Sequence, residues 1–165
     1  MNTMSMSWAL TTALNANSAL IQKAQELADT YRCPYISRKN YNFTEMQDIY
    51  GYQYILILDR NNRLFLGEPY LTWHPSMAVP RIRGLHDGKQ DPFLTALNIL
   101  PGDSILDCTL GFGSDALVAA WATGDSGQVL GLEASPVLAA LTQWGMQHQS
   151  QQYECKKVPM QQIIS

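Results

Sequence analysis

Two acidic residues and two glycines between positions 107 and 133 have the spacing of a site that binds a nucleoside. Asp107 lies in an apolar segment typical of a strand, and Gly111 and Gly113 follow it in a loop. Glu133 ends the next apolar segment, 22 residues after Gly111. Sites of this kind place an acid about 20 residues beyond the glycine loop, where its carboxylate accepts hydrogen bonds from ribose hydroxyls. The glycines allow close approach of the backbone because they carry no Cβ.

Asp107 helps to decide which nucleoside the pattern fits. Gly111, Gly113 and Ala116 also match the GxGxxA form of a loop that binds a nicotinamide dinucleotide, so the glycines leave both ligands open. A carboxylate beside a pyrophosphate meets like charge. S-adenosylmethionine (SAM) has no phosphate and carries an ammonium and a sulfonium, which a carboxylate attracts. The sequence therefore favours SAM as the cofactor, with an NAD-dependent oxidoreductase as an alternative.

The elements that would position these residues alternate between helix and strand from residue 91 onward. This alternation predicts an α/β fold with a parallel sheet, whose ligands bind at the carboxyl ends of the strands. Asp91 and Pro92 have the cap and first-turn chemistry of a helix that ends near Asn98. The further predicted elements are strands at 104–109 and 128–133 and helices at 115–122 and 135–148.

Residues 1–90 predict a small α+β region that precedes the α/β domain at 91–165. Apolar residues at helical spacing indicate a helix from about Asn17 to Arg32. The segments 54–58 and 64–66, separated by turn residues, predict a β-hairpin. Three prolines after the hairpin predict irregular chain as far as Gly88.

Composition limits the classes of protein to consider. Hydrophobic residues make up 46% of the 165, which suits a packed core and argues against disorder. The net charge of −3 provides no broad basic surface, so any contact with nucleic acid is expected to be local. No apolar run approaches the length of a membrane span, and no positive side chain precedes Lys23, so we expect a cytoplasmic protein.

The cysteine pattern indicates neither a metal site nor a disulfide framework. Cys33, Cys108 and Cys155 are odd in number and show no CxxC spacing. Reduced thiols are therefore expected, and no metal ligand is assigned. Cys108 follows Asp107 inside the predicted strand, which predicts a place in the core.

The segment 105–116, Ile-Leu-Asp-Cys-Thr-Leu-Gly-Phe-Gly-Ser-Asp-Ala, resembles motif I of class I SAM-dependent methyltransferases. It is most similar to the bacterial family of the small-subunit rRNA guanine-N2 methyltransferase and its uncharacterised Gram-positive relatives. That family shares Thr109 in place of a first glycine, the block 74–78 and the acid at the start of 133–137. The resemblance implies a Rossmann-like SAM-binding fold and methyl transfer to an amine of an rRNA base. It implies SAM contacts at Asp107, Gly111, Gly113, Ser114, Asp115, Glu133 and Ala134, with Asp107 facing the methionine end.

One element of the family is not found after Glu133. Its Asp-Pro motif, which orients the acceptor amine at the end of the fourth strand, has no counterpart there, and Asp91-Pro92 is better interpreted as a helix cap. No catalytic residue is therefore assigned. In a sheet of order 3-2-1-4-5, absence of the fourth strand leaves the strand of Asp107 as an apolar edge.

These observations predict the first half of the fold only, in a chain truncated at its C-terminus that is a fragment, a truncated gene product or half of a split protein. Self-association through the unpaired edge is a further expectation. Such a chain is expected to bind SAM weakly or not at all and to transfer no methyl group. A non-catalytic remnant or binding module is the second alternative to an active methyltransferase.

Two upstream features have both structural and functional interpretations. His74 lies in a proline-flanked loop, where it either bonds to backbone or contacts a substrate as part of a lid. Arg81, with Arg83 and Lys89, forms a cationic cluster that is either solvated surface or, together with residues 38–39, a site for rRNA phosphates.

Overall fold

A computed structural model describes residues 7–149 and the backbone of the strand at 160–164. The chain divides into two compact units between Trp73 and His74. This division lies earlier than the predicted boundary near residue 90, because the helix that follows His74 packs within the second unit. Within the described residues, no helix has the length and apolar character needed to cross a membrane.

The first unit contains a four-stranded mixed sheet in the order β1-β2-β3-β4. β1 (Trp8–Thr12) pairs in parallel with β2 (Tyr54–Leu58), and β2 pairs antiparallel with β3 (Leu64–Leu66), as the predicted hairpin requires. The short β4 (Leu71–Thr72) completes the sheet. All five residues of β1 are buried, so this strand lacks the alternation that would mark it in the sequence.

Two capped helices accompany this sheet. α1 (Ser18–Thr30) begins where the Asn17 side chain accepts a hydrogen bond from the backbone of Leu20, so the predicted helix is confirmed. α2 (Phe43–Tyr50) begins with a capping box between Asn42 and Glu45. The Asn-x-x-Glu pattern of this box is the sequence signal for the start of α2.

The second unit contains the parallel sheet that the sequence predicts. Its described strands are β5 (Ser104–Asp107), β6 (Gln128–Leu132) and β7 (Met160–Ile164), paired in parallel in that order. α5 (Ser114–Thr123) connects β5 to β6, and α6 (Pro136–His148) follows β6. Small and branched side chains of α5 and β6 form the core between them, namely Ala116, Ala119, Ala120 and Val129 together with Leu110.

Two further helices precede β5. α3 (Ala78–His86) occupies chain that the prolines predicted to be irregular, and that prediction is wrong. Pro80 is the third residue of α3, where a missing N–H is tolerated because the first turn has no intrahelical acceptor. α4 (Pro92–Leu97) begins at the predicted cap, since the Asp91 carboxylate accepts hydrogen bonds from the backbone of Phe93 and Leu94.

In the part of the chain that is described, β5 pairs with β6 alone and is an edge strand. Leu106 is 54% exposed, although parallel strands are normally covered on both faces. The unpaired edge expected for the strand of Asp107 is therefore present among the described residues.

Candidate cofactor-binding site

Glu133 lies directly against the glycine loop. One of its carboxylate oxygens accepts a hydrogen bond from the Gly111 amide at 2.9 Å, and the other accepts one from the Ser135 amide at 2.9 Å. The contact joins an acid and a glycine that are 22 residues apart in the chain. A carboxylate has about four acceptor positions, so these two bonds leave capacity for the hydroxyls of a ligand.

Gly111 is also held through its carbonyl group. The Thr142 hydroxyl, on α6, donates to the Gly111 carbonyl at 2.7 Å. Gly111 has a left-handed φ of 55°, and a Cβ built there would meet nothing closer than the Thr109 carbonyl at 3.9 Å. The loop is thus fixed by its neighbours while the space beside Gly111 stays open. Thr142 is a site residue that the sequence does not reveal, because nothing local links it to the loop.

Gly113 has a different role from Gly111. It has a left-handed φ of 77° and forms the N-cap of α5, and a Cβ there would meet the terminal methyl group of Met146. Gly113 therefore suits the left-handed turn that begins α5, and a larger residue would require Met146 to move aside.

A cavity of about 490 Å³ lies beside β5. Four of the seven predicted ligand contacts line it: Asp107, Gly113, Ser114 and Asp115. The other three, Gly111, Glu133 and Ala134, are not among its lining residues. Polar groups, including Thr109 and Ser76, accompany apolar side chains from α4, β5 and α5, namely Phe93, Leu97, Ile105, Leu106, Ala116 and Ala119.

The two acids of the predicted site lie at the same edge of the sheet. Asp107 is the last residue of β5 and is in register with Gly131 of β6, and Glu133 follows two positions later. The strands are parallel, so both carboxylates belong to the carboxyl end of the sheet. Asp107 accepts a hydrogen bond from the Thr109 amide at 2.9 Å. The structure thus brings Asp107 into the cavity and Glu133 onto the glycine loop.

Arg81 links three helices of the second unit through two carboxylates. Its Nε and one Nη donate to both oxygens of Asp91, at 2.7 and 2.9 Å, and its other Nη donates to Asp115 at 2.6 Å. The guanidinium also lies over the Phe93 ring, 5.4 Å from its centre. Hydrogen bonding to Asp91 raises the pKa of Arg81, and the same bonds lower the pKa of the Asp91 carboxyl.

These ion pairs bear on the predicted cationic cluster. The Arg81 side chain is 20% exposed and Asp91 is 5% exposed, so this pair is largely removed from water. A guanidinium bound by two carboxylates is a poor partner for a phosphate, which it would have to bind in competition with them. Arg81 therefore has a structural place that its sequence pattern did not indicate.

His74 and Cys108 have clear positions. His74 accepts a hydrogen bond through Nδ1 from the Ser76 amide at 2.8 Å, as the structural interpretation of this histidine expects. Cys108 is exposed and lines the cavity, so its predicted place in the core is wrong. The reason is that β5 ends at Asp107, and Cys108 belongs to the loop. Among the described residues, no group of three or more His, Cys, Asp or Glu could hold a metal ion.

No family model matches the sequence. The chain is 28% identical over 138 residues to the uncharacterized protein YpiP of Bacillus subtilis (strain 168), covering 83% of this chain and 54% of that protein. It thus spans about half the length of this curated relative. A structural comparison with TrmN from Thermus thermophilus gives a TM-score of 0.33 at 18% identity, covering 86% of this chain and 42% of TrmN.

Proposed function

We propose that the second unit is a Rossmann-like SAM-binding unit of a methyltransferase. The observation that carries the proposal is the contact of Glu133 with Gly111 at the carboxyl ends of parallel strands, with Asp107 at the end of the neighbouring strand. In this arrangement Glu133 accepts hydrogen bonds from the ribose hydroxyls of SAM, and Asp107 faces its cationic methionine end. Ala134 follows Glu133 and contributes backbone to the same end of the site.

The charge of the cavity supports SAM over a dinucleotide. Asp107 and Asp115 are among its lining residues, and none of the described residues that line it is a lysine or an arginine. A pyrophosphate would therefore be repelled by these carboxylates, whereas a sulfonium and an ammonium are attracted. Ser114 adds a hydroxyl at the first turn of α5, where it also donates to the Pro75 carbonyl at 3.3 Å.

Bound SAM would supply its sulfonium methyl group to an amine by direct displacement. The new N–C bond would form as the C–S bond breaks, the neutral thioether would leave, and the amine proton would pass to water. The chain binds and orients the reactant, and the gain in rate comes from positioning. We propose an amine of an rRNA base as the acceptor, on the likeness of residues 105–116 to the rRNA methyltransferase motif. In this proposal the exposed Lys89 contributes a contact to the phosphates of the RNA.

Ligand titration of the isotopically labelled chain, followed by two-dimensional NMR, tests the binding step. SAM and its demethylated product are expected to shift the amide signals of Gly111, Gly113 and Ser135 progressively, and NAD is not. Weak binding suffices, because fast exchange reports shifts even at millimolar dissociation constants. The proposal fails if NAD shifts these amides at lower concentration than SAM, or if SAM shifts none of them.

A pair of glycine variants locates the ligand. Gly111→Ala places a methyl group in the open space beside the loop, and Gly88→Ala places one where nothing lies within 4 Å. Both glycines have a positive φ, 55° and 78°, so both variants carry a similar backbone strain of about 1 kcal/mol. Only Gly111→Ala is expected to abolish the shifts caused by SAM. Equal binding of SAM by the two variants would contradict a ligand position beside the glycine loop.

The alternative of a non-catalytic binding module shares the ligand and lacks the transfer. The open edge of β5 among the described residues favours this alternative, since β5 carries Asp107 and its Leu106 is exposed. Incubation with SAM labelled on its methyl group and with small-subunit rRNA distinguishes the two. Label in the RNA identifies a methyltransferase, and binding without label identifies a module that needs further elements for transfer.

A further inference from the structure

We propose that Arg81 sets the preference of the cavity for SAM over its demethylated product, by limiting the negative charge at the first turn of α5. This inference rests on the proposed function. It assigns a role in ligand specificity to Arg81, which is not among the residues that line the cavity. Arg81 acts through Asp115, which lines the cavity and accepts its hydrogen bond at 2.6 Å.

The charges of the three linked side chains do not cancel. Arg81 contributes one positive charge, and Asp91 and Asp115 contribute two negative charges, so the group carries a net charge of about −1 at neutral pH. Asp91 is 5% exposed and takes two of the guanidinium bonds, whereas Asp115 is 57% exposed. Asp115 is therefore the less neutralised of the two carboxylates, and it is the one that lines the cavity.

SAM carries a methylated, positive sulfonium, whereas its product lacks that methyl group and has a neutral sulfur with the same adenosine, ammonium and carboxylate. Contacts of the methyl group contribute equally in every variant that leaves the shape of the cavity unchanged. The change between variants in the ratio of the dissociation constants, product over SAM, therefore reports the change of potential at the sulfur. Damage to the site that weakens both ligands equally cancels in this ratio, so a merely structural role for Arg81 leaves the ratio unchanged.

Three variants change the group by single charges. Asp115→Asn brings its net charge to zero, and the ratio is expected to fall about threefold. Arg81→Gln brings the charge to −2, and the ratio is expected to rise about threefold. The double variant restores −1 and is expected to restore the ratio. These sizes are what Coulomb's law gives for two unit charges about 10 Å apart at an effective dielectric constant of about 50.

Two matched controls accompany these variants. Arg83→Gln removes the same charge from an exposed position on the same helix and is expected to leave the ratio unchanged. Arg81→Lys keeps the charge without the planar fork of donors that binds both oxygens of Asp91, and it is expected to retain the wild-type ratio. Because the effect is electrostatic, it is also expected to shrink when the salt concentration is raised.

The experiment is a calorimetric or NMR titration of the full chain with each ligand at low salt. Arg81→Gln leaves the buried Asp91 without its cation, so this variant can fail to fold. Asp115→Asn then still decides, because a ratio that does not fall in this variant overturns the inference. Failure of the wild-type chain to bind either ligand refutes the proposed function instead, so the two failures are distinct.

Discussion

The hydrogen bond from Thr142 to the glycine loop allows a sharp test of what holds the site together. Thr142→Val replaces the hydroxyl by a methyl group of similar size. The Thr142 side chain is fully buried and Gly111 is half-buried, so water replaces the donor that the Gly111 carbonyl loses only in part. A fully buried acceptor without a partner costs about 1–3 kcal/mol. We therefore expect Thr142→Val to lower the free energy of unfolding by about 1–2 kcal/mol.

Thr123→Val is the matched control, because Thr123 is also buried, at 1% exposure. Its hydroxyl makes a weaker bond of 3.3 Å to the Ala120 carbonyl, three residues earlier in α5. That carbonyl also accepts the Gly124 amide, so it keeps a partner in the variant. We expect a change of less than about 1 kcal/mol for this substitution.

Urea denaturation of both variants, followed by tryptophan fluorescence, measures the difference. Hydrogen exchange of the Gly111 amide adds a local measure, since the loosened loop should exchange faster in Thr142→Val alone. Equal loss of stability in the two variants would refute the reasoning, because the hydroxyl would then contribute nothing beyond its shape.

Three further predictions concern other residues of this chain. The lowered pKa of Asp91 means that its contribution to stability is present above about pH 4, the unfolded value, and is lost as the pH falls through the folded value. Unfolding of Asp91→Asn should therefore depend less on pH below about 4 than that of the wild type, and equal dependence in urea titrations would contradict this. Gly113→Ala should lose about 1–3 kcal/mol in thermal denaturation, because alanine is strained at a left-handed φ and the terminal methyl group of Met146 must move aside; an unchanged melting temperature would count against it. At pH 8, iodoacetamide should label exposed Cys108 before Cys33, whose pKa burial raises to about 12, and bound SAM should slow that labelling, as peptide mass mapping can show.

The local features of this fold could be predicted from the sequence. Asp91 and Ser135, each followed by proline, mark the starts of α4 and α6, because cap chemistry acts within one turn. The spacing from Gly111 to Glu133 likewise reflects the length of one strand-helix-strand unit. Such signals are carried by neighbouring residues, so a single sequence displays them.

The remaining features depend on contacts between distant parts of the chain. Arg81 meets Asp115 across 34 residues, and nothing in either segment specifies that pairing. β1 is recognised only through its parallel pairing with β2, since its five residues show no period. The irregular chain predicted around Pro80 was wrong because proline breaks a helix in its interior but is tolerated in its first turn. The sequence around Pro80 does not distinguish these two positions.

The bond between Thr142 and Gly111 also has a consequence for how the protein acquires its site during synthesis. The glycine loop emerges 31 residues before the side chain that fixes it, so the nascent loop must wait for α6. Until then it lacks one of its two anchors and samples other conformations, since its glycines restrict it little. A translational pause before α6 would therefore leave a chain in which β5 and α5 are complete but the nucleoside site between them is not yet formed.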